Sequence, residues 1–136
     1  MAELKLEPFT ARIRCRRLAD EPEVPCDWLL AKCVETLAER CVEAGPCVVG
    51  HIKGVALFDG GRYLRISAVD ANRAADVDGE VPADCREFIL TLNVLVYGHS
   101  REIIRQLTDE VIGVVGSRVD GQITIEVEPV EQAREG

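Results

Sequence analysis

The stretch from residue 47 to residue 70, CVVGHIKGVALFDGGRYLRISAVD, decides the fold. Two runs rich in β-branched and aromatic residues flank Asp59-Gly60-Gly61, a sequence typical of a hairpin turn. Pairing about Gly60 places Lys53 opposite Ser67 and Val55 opposite Arg65. Even-numbered hydrophobic residues then share one face, as expected of two half-buried strands. The residues predicted on that face are Val48, Ile52, Ala56, Phe58, Leu64, Ile66 and Ala68.

The same two-residue alternation recurs elsewhere in the chain and predicts three more strands. They are expected at residues 5–17, 88–97 and 122–127. The run at 88–97 is hydrophobic along one face and carries Ile89 and Leu95 on the other, which is typical of a central strand that is partly covered on both sides. Residues 71–86 are acidic and contain Gly79 and Pro82, so they are predicted to form a loop.

Two further segments carry hydrophobic residues at three- and four-residue spacing, which predicts two helices. The first is expected over residues 26–44, where Gly45-Pro46 ends it. The second is expected from Arg101 to about residue 115, with Ser100 as its N-cap. Their apolar stripes include Leu30, Cys33, Leu37, Cys41 and Val42 in the first helix, and Ile103, Ile104, Leu107, Val111, Val114 and Val115 in the second.

The predicted element order is β-α-β-β-β-α-β. Because each helix has one apolar side, the economical packing is a two-layer α+β sandwich with a mostly antiparallel sheet and both helices on one face. Ferredoxin-like and double-stranded-RNA-binding-like arrangements share parts of this order, which says nothing about function. Residues 1–130 are predicted to form a single domain, and residues 131–136 a frayed C-terminal tail.

Composition excludes several classes of protein. The chain has 136 residues, of which 47% are hydrophobic, and a formal net charge of −8. This is ordinary globular usage without an apolar run long enough to span a membrane. Residues 1–10 lack an apolar leader, which favours a cytoplasmic location. The negative charge argues against general nucleic-acid binding, although a cluster of arginines near the N-terminus keeps that hypothesis open. The cluster comprises Arg12, Arg14, Arg16 and Arg17.

The six cysteines contain no Cys-x-x-Cys pair. In a reducing cytosol, free cysteines pack as small hydrophobic residues, so most are predicted to lie in the core. Cys85, in the polar segment Asp84-Cys85-Arg86, is expected to be the most exposed thiol. The cysteines are Cys15, Cys26, Cys33, Cys41, Cys47 and Cys85.

A metal site built from cysteine and histidine finds little support in the spacing. Cys47 and His51 are expected on the same face of one strand, about 13 Å apart at the usual rise per residue. That distance is too long for one ion, and His99 lies at the start of the second helix. No metal and no cofactor is therefore predicted.

The sheet face turned away from the helices holds the candidate site. Parity places both donor groups and hydrophobic side chains there, so two functions compete. The first is a non-enzymatic binding or assembly module that self-associates through this face as a homo-oligomer. The second is a small-molecule enzyme or anion-binding protein, with His51 as a general base and a small anionic ligand held by cations. The predicted ligand-binding residues are His51, Lys53, Arg65, Ser67 and Asn93, and the apolar residues expected around them are Val49, Val55, Leu57, Val69, Ile89 and Leu95.

Overall fold

The computed structural model describes residues 4–17, 25–81, 87–117 and 123–129, without the side chains of residues 17, 117 and 123–129. Two helices and six strands follow one another in this part of the chain. They are β1 (Phe9–Arg17), α1 (Cys26–Glu43), β2 (Val48–Phe58), β3 (Tyr63–Ala68), β4 (Asp76–Gly79), β5 (Glu87–Tyr97), α2 (Arg101–Ser117) and β6 (Ile123–Pro129).

The six strands form one sheet in the order β4-β3-β2-β5-β1-β6, and every neighbouring pair is antiparallel. Strand β5 lies between β1 and β2, and β1 lies between β5 and β6. Each helix therefore joins two parallel strands that are separated by one antiparallel strand. Two such interleaved split β-α-β units make the ferredoxin-like topology, which β3 and β4 extend at one edge. The predicted α+β sandwich is confirmed.

The predicted hairpin is confirmed in its register. Lys53 pairs with Ser67 and Val55 with Arg65 across β2 and β3. A short 3-10 turn over Asp59–Gly61 joins the strands, and Gly60 adopts a φ of 82°, a left-handed conformation that a side chain disfavours. The turn thus sets which residues of the two strands face each other.

The core lies between the helices and the adjacent face of the sheet. Leu37 of α1, Ile104 of α2 and Ile52, Val94 and Ala11 of the sheet are all fully buried. Removing a leucine-sized side chain from water contributes about 1.5–3 kcal/mol, so this layer is the main source of stability. The predicted apolar stripes are wrong at three positions, Val42, Ile103 and Val114, which are exposed at the helix margins.

A β-bulge in β2 overturns part of the predicted parity. The register with β5 runs from Val49–Val96 to His51–Leu95 and leaves out Gly50. Residues before the bulge therefore face the opposite side from that expected. Val49 packs against the core, whereas Val48 is 54% exposed.

The predicted loop over residues 71–86 is wrong in part, because Asp76–Gly79 form the edge strand β4. Its residues pair with β3 through Ser67–Asp76 and Leu64–Gly79. The backbone N–H of Ala75 donates a 2.9 Å hydrogen bond to the Glu35 carboxylate of α1, which anchors the start of this strand. Backbone pairing with β3 thus makes a strand of a segment without hydrophobic alternation.

The predicted helix ends are confirmed. The first helix ends with Ala44 as its C-cap, followed by Gly45. The Ile103 N–H donates to Ser100 Oγ at 3.2 Å, as an N-cap requires. Neither helix in the described ranges is long and apolar enough to cross a membrane. The predicted tail at 131–136 and the predicted exposed thiol of Cys85 lie outside the described residues.

Candidate interface on the open sheet face

One face of the sheet is covered by neither of the two helices of the described ranges, and we call it the open face. It is formed by alternate residues of β1, β3, β4 and β5, by Val48 and by those residues of β2 that follow the bulge, all half-buried or exposed. Its described members are Thr10, Arg12, Arg14, Arg16, Val48, His51, Lys53, Val55, Leu57, Tyr63, Arg65, Ser67, Asp76, Asp78, Glu87, Ile89, Thr91, Asn93, Leu95 and Tyr97.

All five predicted ligand-binding residues lie on the open face. Ser67, Lys53 and Asn93 are direct neighbours across β3, β2 and β5. Thr10 of β1 continues the line, and its hydroxyl donates a 2.8 Å hydrogen bond to Asn93 Oδ1. We call these four residues the polar row. The other two predicted residues flank it: His51 lies two residues before Lys53, and Arg65 two residues before Ser67.

Hydrophobic residues flank the polar row on both sides. Toward the hairpin turn lies a first apolar cluster, in which Leu57 is the direct neighbour of both Tyr63 and Ile89. Toward the bulge lies a second apolar cluster, in which Tyr97 faces Val48. Several of these side chains are strongly exposed, Leu57 at 52%. The first cluster comprises Val55, Leu57, Tyr63 and Ile89, and the second comprises Val48, Leu95 and Tyr97.

The arginines of the open face lie near its edges, each with an acidic residue at a neighbouring position. Arg16 Nε is 3.0 Å from Glu87 Oε1. The register places Asp78 opposite Arg65 at one edge, and residues 126 and 128, both glutamates, opposite Arg14 and Arg12 at the other. Opposite charges at cross-strand positions attract each other, so Glu87 and Asp78 compensate the charges of Arg16 and Arg65.

Lys53 differs from the arginines. Its register partners are Ser67 and Asn93, and it makes no ion pair within the described residues. It therefore stands as an uncompensated positive charge in the middle of the open face.

His51 is half-buried beside Lys53. Partial burial lowers the pKa of its imidazole below the usual 6.5, and the positive charge of Lys53 lowers it further. The ring is therefore neutral at neutral pH. No residue in the described ranges donates or accepts a hydrogen bond at this ring, so nothing there orients it as the predicted general base would require.

Sequence reasoning missed a cavity of about 510 Å³ at the end of the sheet nearest the hairpin turn. None of the five predicted ligand-binding residues lines it, and its charged members include the Arg16–Glu87 ion pair. The cavity lies where β1 and β2 end and β5 begins. Only the strand order of the sheet shows that these three strand ends are adjacent. Its lining comprises Arg14, Cys15, Arg16, Leu57, Phe58, Asp59, Glu87, Phe88 and Ile89.

The cysteines are mostly core residues, as predicted, and Cys15, Cys33, Cys41 and Cys47 are reduced thiols. Burial raises the pKa of Cys33 to about 12, and burial together with the neighbouring Cys47 raises that of Cys41 to about 12. Such thiols are not nucleophiles near neutral pH. Cys26, however, is disulfide-bonded.

The described residues do not include a group of three side chains suited to hold a metal ion. Because of the bulge, Cys47 and His51 lie on opposite faces, and the prediction that they share a face is wrong. The Cys47 thiol lies 3.3 Å from the Cys41 carbonyl oxygen, and His99 Nε2 lies 2.7 Å from the same oxygen. Both side chains thus interact with the carbonyl group of Cys41 near the C-terminal end of α1.

Comparisons of the chain with protein-family models, with curated proteins and with solved structures found no match.

Proposed function

We propose that the protein is a non-enzymatic assembly module that self-associates through the open face. The observation that carries this proposal is the first apolar cluster, four hydrophobic side chains that are contiguous across three strands and that neither α1 nor α2 covers. Burying one such side chain contributes about 1.5–3 kcal/mol. Contiguous exposed hydrophobic residues of this kind mark surfaces that bind a partner.

The distribution of charge supports a protein partner. Specific interfaces have a hydrophobic centre and a polar rim. On the open face the apolar clusters lie on the middle strands β2 and β5 or next to them, while Arg12, Arg65 and Asp78 lie toward the edges. Because each arginine has an acid at its register position, this surface suits another folded protein better than a polyanion such as nucleic acid.

The register favours a second copy of this chain as that partner. Strands β2 and β5 are the third and fourth of six, so a two-fold axis that runs along the strands between them exchanges their positions. Leu57 of β2 and Ile89 of β5 are direct neighbours. Such an axis places Leu57 of one copy over Ile89 of the other, twice, which makes the first apolar cluster self-complementary.

The enzyme alternative has less support. A general base needs an orienting partner and a nearby reacting group, and His51 lies on the open face without a hydrogen-bonding partner in the described part of the chain. His51 also does not line the 510 Å³ cavity.

Native mass spectrometry and light scattering over a concentration series test the proposal, with Leu57→Asp as the key variant. Leu57 is exposed, so the change leaves the core intact but puts a carboxylate in the first apolar cluster. We expect the unmodified chain to be a symmetric oligomer and Leu57→Asp to be a monomer with an unchanged circular dichroism spectrum.

Ile103→Asp is the matched control. Ile103 is an exposed hydrophobic residue in the first turn of α2, on the other layer of the protein, where an acid suits the helix dipole. We expect it to associate as the unmodified chain does. A monomeric unmodified chain at every concentration, or an oligomer that Leu57→Asp does not weaken, contradicts the proposal.

A further inference from the structure

The polar row lies between the two apolar clusters, so a partner that covers both clusters also covers the row. A second copy that covers both Leu57 on one side and Leu95 on the other must also cover Lys53 between them. The following inference therefore rests on the proposed self-association.

A covered Lys53 would be a buried cation without an acid beside it. Its register partners Ser67 and Asn93 carry no charge, and the neighbouring His51 is neutral near pH 7. Taking an unpaired ammonium out of water is strongly unfavourable. Moreover, two sheets pack face to face about 10 Å apart. The same two-fold axis along the strands places Lys53 of each copy over Asn93 of the other, so the two ammonium groups lie at one level of the interface.

The other hydrogen-bond donors of the polar row indicate what kind of group could compensate the charge of Lys53. Asn93 Oδ1 already accepts a hydrogen bond from Thr10, so its amide has two N–H donors without a partner in the described residues. The Ser67 hydroxyl lies on the other side of Lys53. Ammonium, amide and hydroxyl donors thus lie side by side on the row. The nearest acid along the row is Asp76, the register partner of Ser67 on the edge strand β4, two strands away from Lys53. Such a set of donors suits an anion with several oxygen atoms.

We infer that the assembly binds one oxyanion, of the phosphate or carboxylate class, between the Lys53 side chains of two copies, with the Asn93 amides as further donors. The anion supplies the negative charge that no side chain next to Lys53 provides, and it thereby removes the repulsion between the two ammonium groups. Self-association and anion binding then promote each other. The anion stabilises the oligomer, and the oligomer in turn provides the site that the anion prefers.

The dissociation constant of the oligomer, measured by analytical ultracentrifugation at equal ionic strength, tests the inference. Sodium phosphate, sodium acetate and sodium chloride are the three conditions. We expect phosphate to lower the dissociation constant about tenfold relative to chloride, as charge-assisted hydrogen bonds of this kind do. An equal effect of acetate assigns the site to oxyanions in general, and an effect of phosphate alone assigns it to phosphate.

Lys53→Met is the diagnostic variant and Lys5→Met its control, since Lys5 is exposed and lies outside the open face. Without the buried charge, Lys53→Met should associate in chloride at least as tightly as the unmodified chain, with no response to phosphate. Lys5→Met should respond as the unmodified chain does. An oligomer that forms equally in all three salts, or a Lys53→Met oligomer that still responds to phosphate, overturns the anion inference alone. A chain that stays monomeric in every salt overturns the self-association as well.

Discussion

His99 Nε2 lies 2.7 Å from the backbone carbonyl oxygen of Cys41, so a side chain at the start of α2 closes the end of α1. The last carbonyls of a helix lack partners within the helix. A carbonyl oxygen only accepts, which places the imidazole proton on Nε2. His99 is 6% exposed, and the bond thus satisfies a polar pair inside the protein rather than presenting a ligand to a metal ion.

Replacing His99 with Leu should destabilise the protein by about 1–3 kcal/mol, because the Cys41 carbonyl then loses its principal donor. Urea unfolding followed by circular dichroism measures this loss. His99→Gln, which retains an amide N–H, should lose less. Equal stability of His99→Leu and the unmodified protein would contradict the capping role, as would a rise in stability on adding zinc to the unmodified protein alone.

Gly98, the residue before His99, should tolerate no side chain. Its φ is 110°, and an added Cβ would lie 2.7 Å from the Pro46 carbonyl oxygen. Gly98→Ala should therefore cost at least about 1–3 kcal/mol, the strain of a left-handed backbone conformation.

Gly113 provides the opposite case within α2. An added Cβ there meets nothing within 4 Å. Gly113→Ala should raise the free energy of unfolding by about 0.5–1 kcal/mol, because alanine loses less conformational freedom in a helix than glycine does. If the two variants shifted the thermal midpoint in the same direction, the conformational explanation would be wrong.

The sequence predicted those parts of the fold that carry their own local pattern. The hairpin register followed from the Asp59–Gly61 turn, and the helices followed from their apolar spacing and caps. The bulge at Gly50 was missed because one extra residue changes neither composition nor alternation on either side of it. An isolated glycine inside a strand was the available signal. Strand β4 was missed because its backbone pairing with β3, not its side chains, makes it a strand.

The candidate site was predictable only in part for a related reason. Parity placed Lys53, Ser67 and Asn93 on one face, and the hairpin register alone made Lys53 and Ser67 neighbours. The order of strands beyond the hairpin depends on contacts between residues far apart in sequence. That order sets Asp78 opposite Arg65, and it makes Lys53 the uncompensated cation of the face.

Thiol titration should separate the disulfide from the buried cysteines. A disulfide takes up two of the six cysteines, so the unfolded protein should show four reactive thiols without reductant and six with it. Disulfides are rare in a reducing cytosol, so a count of four in protein extracted under alkylating conditions would argue against the predicted cytoplasmic location. Six reactive thiols in the absence of reductant would contradict the bond at Cys26.

The four reduced thiols should react slowly in the native protein. Burial raises the pKa of Cys33 and Cys41 to about 12, so both remain protonated near pH 8. Cys47 is half-buried, and burial raises its pKa as well. Iodoacetamide at about pH 8 should thus modify Cys47 first among the four and leave Cys33 intact, since the thiolate is the reacting form. Mass mapping that finds Cys33 modified before Cys47 would contradict this order.

His51 should make the stability of the protein depend on pH. Its pKa in the folded protein lies below the 6.5 of an unperturbed histidine, chiefly because of partial burial and secondly because of the charge of Lys53. The unfolded chain therefore takes up a proton at a higher pH than the folded chain does. It follows that the contribution of His51 is fully present above about pH 6.5 and is lost as the pH falls toward the folded pKa. The effect should be modest, because water still reaches the ring.

Comparing unfolding free energies of the unmodified protein and His51→Gln between about pH 8 and about pH 5 isolates this effect, since histidine titrates in that interval. Carboxylates that begin to titrate at the acidic end affect both proteins alike. We expect the unmodified protein to lose more stability on acidification than His51→Gln. A second copy over the open face would remove more water from His51, so the dissociation constant of the oligomer should also rise on acidification in the unmodified protein alone. Parallel pH profiles for the two proteins in both measurements would place His51 outside the interface.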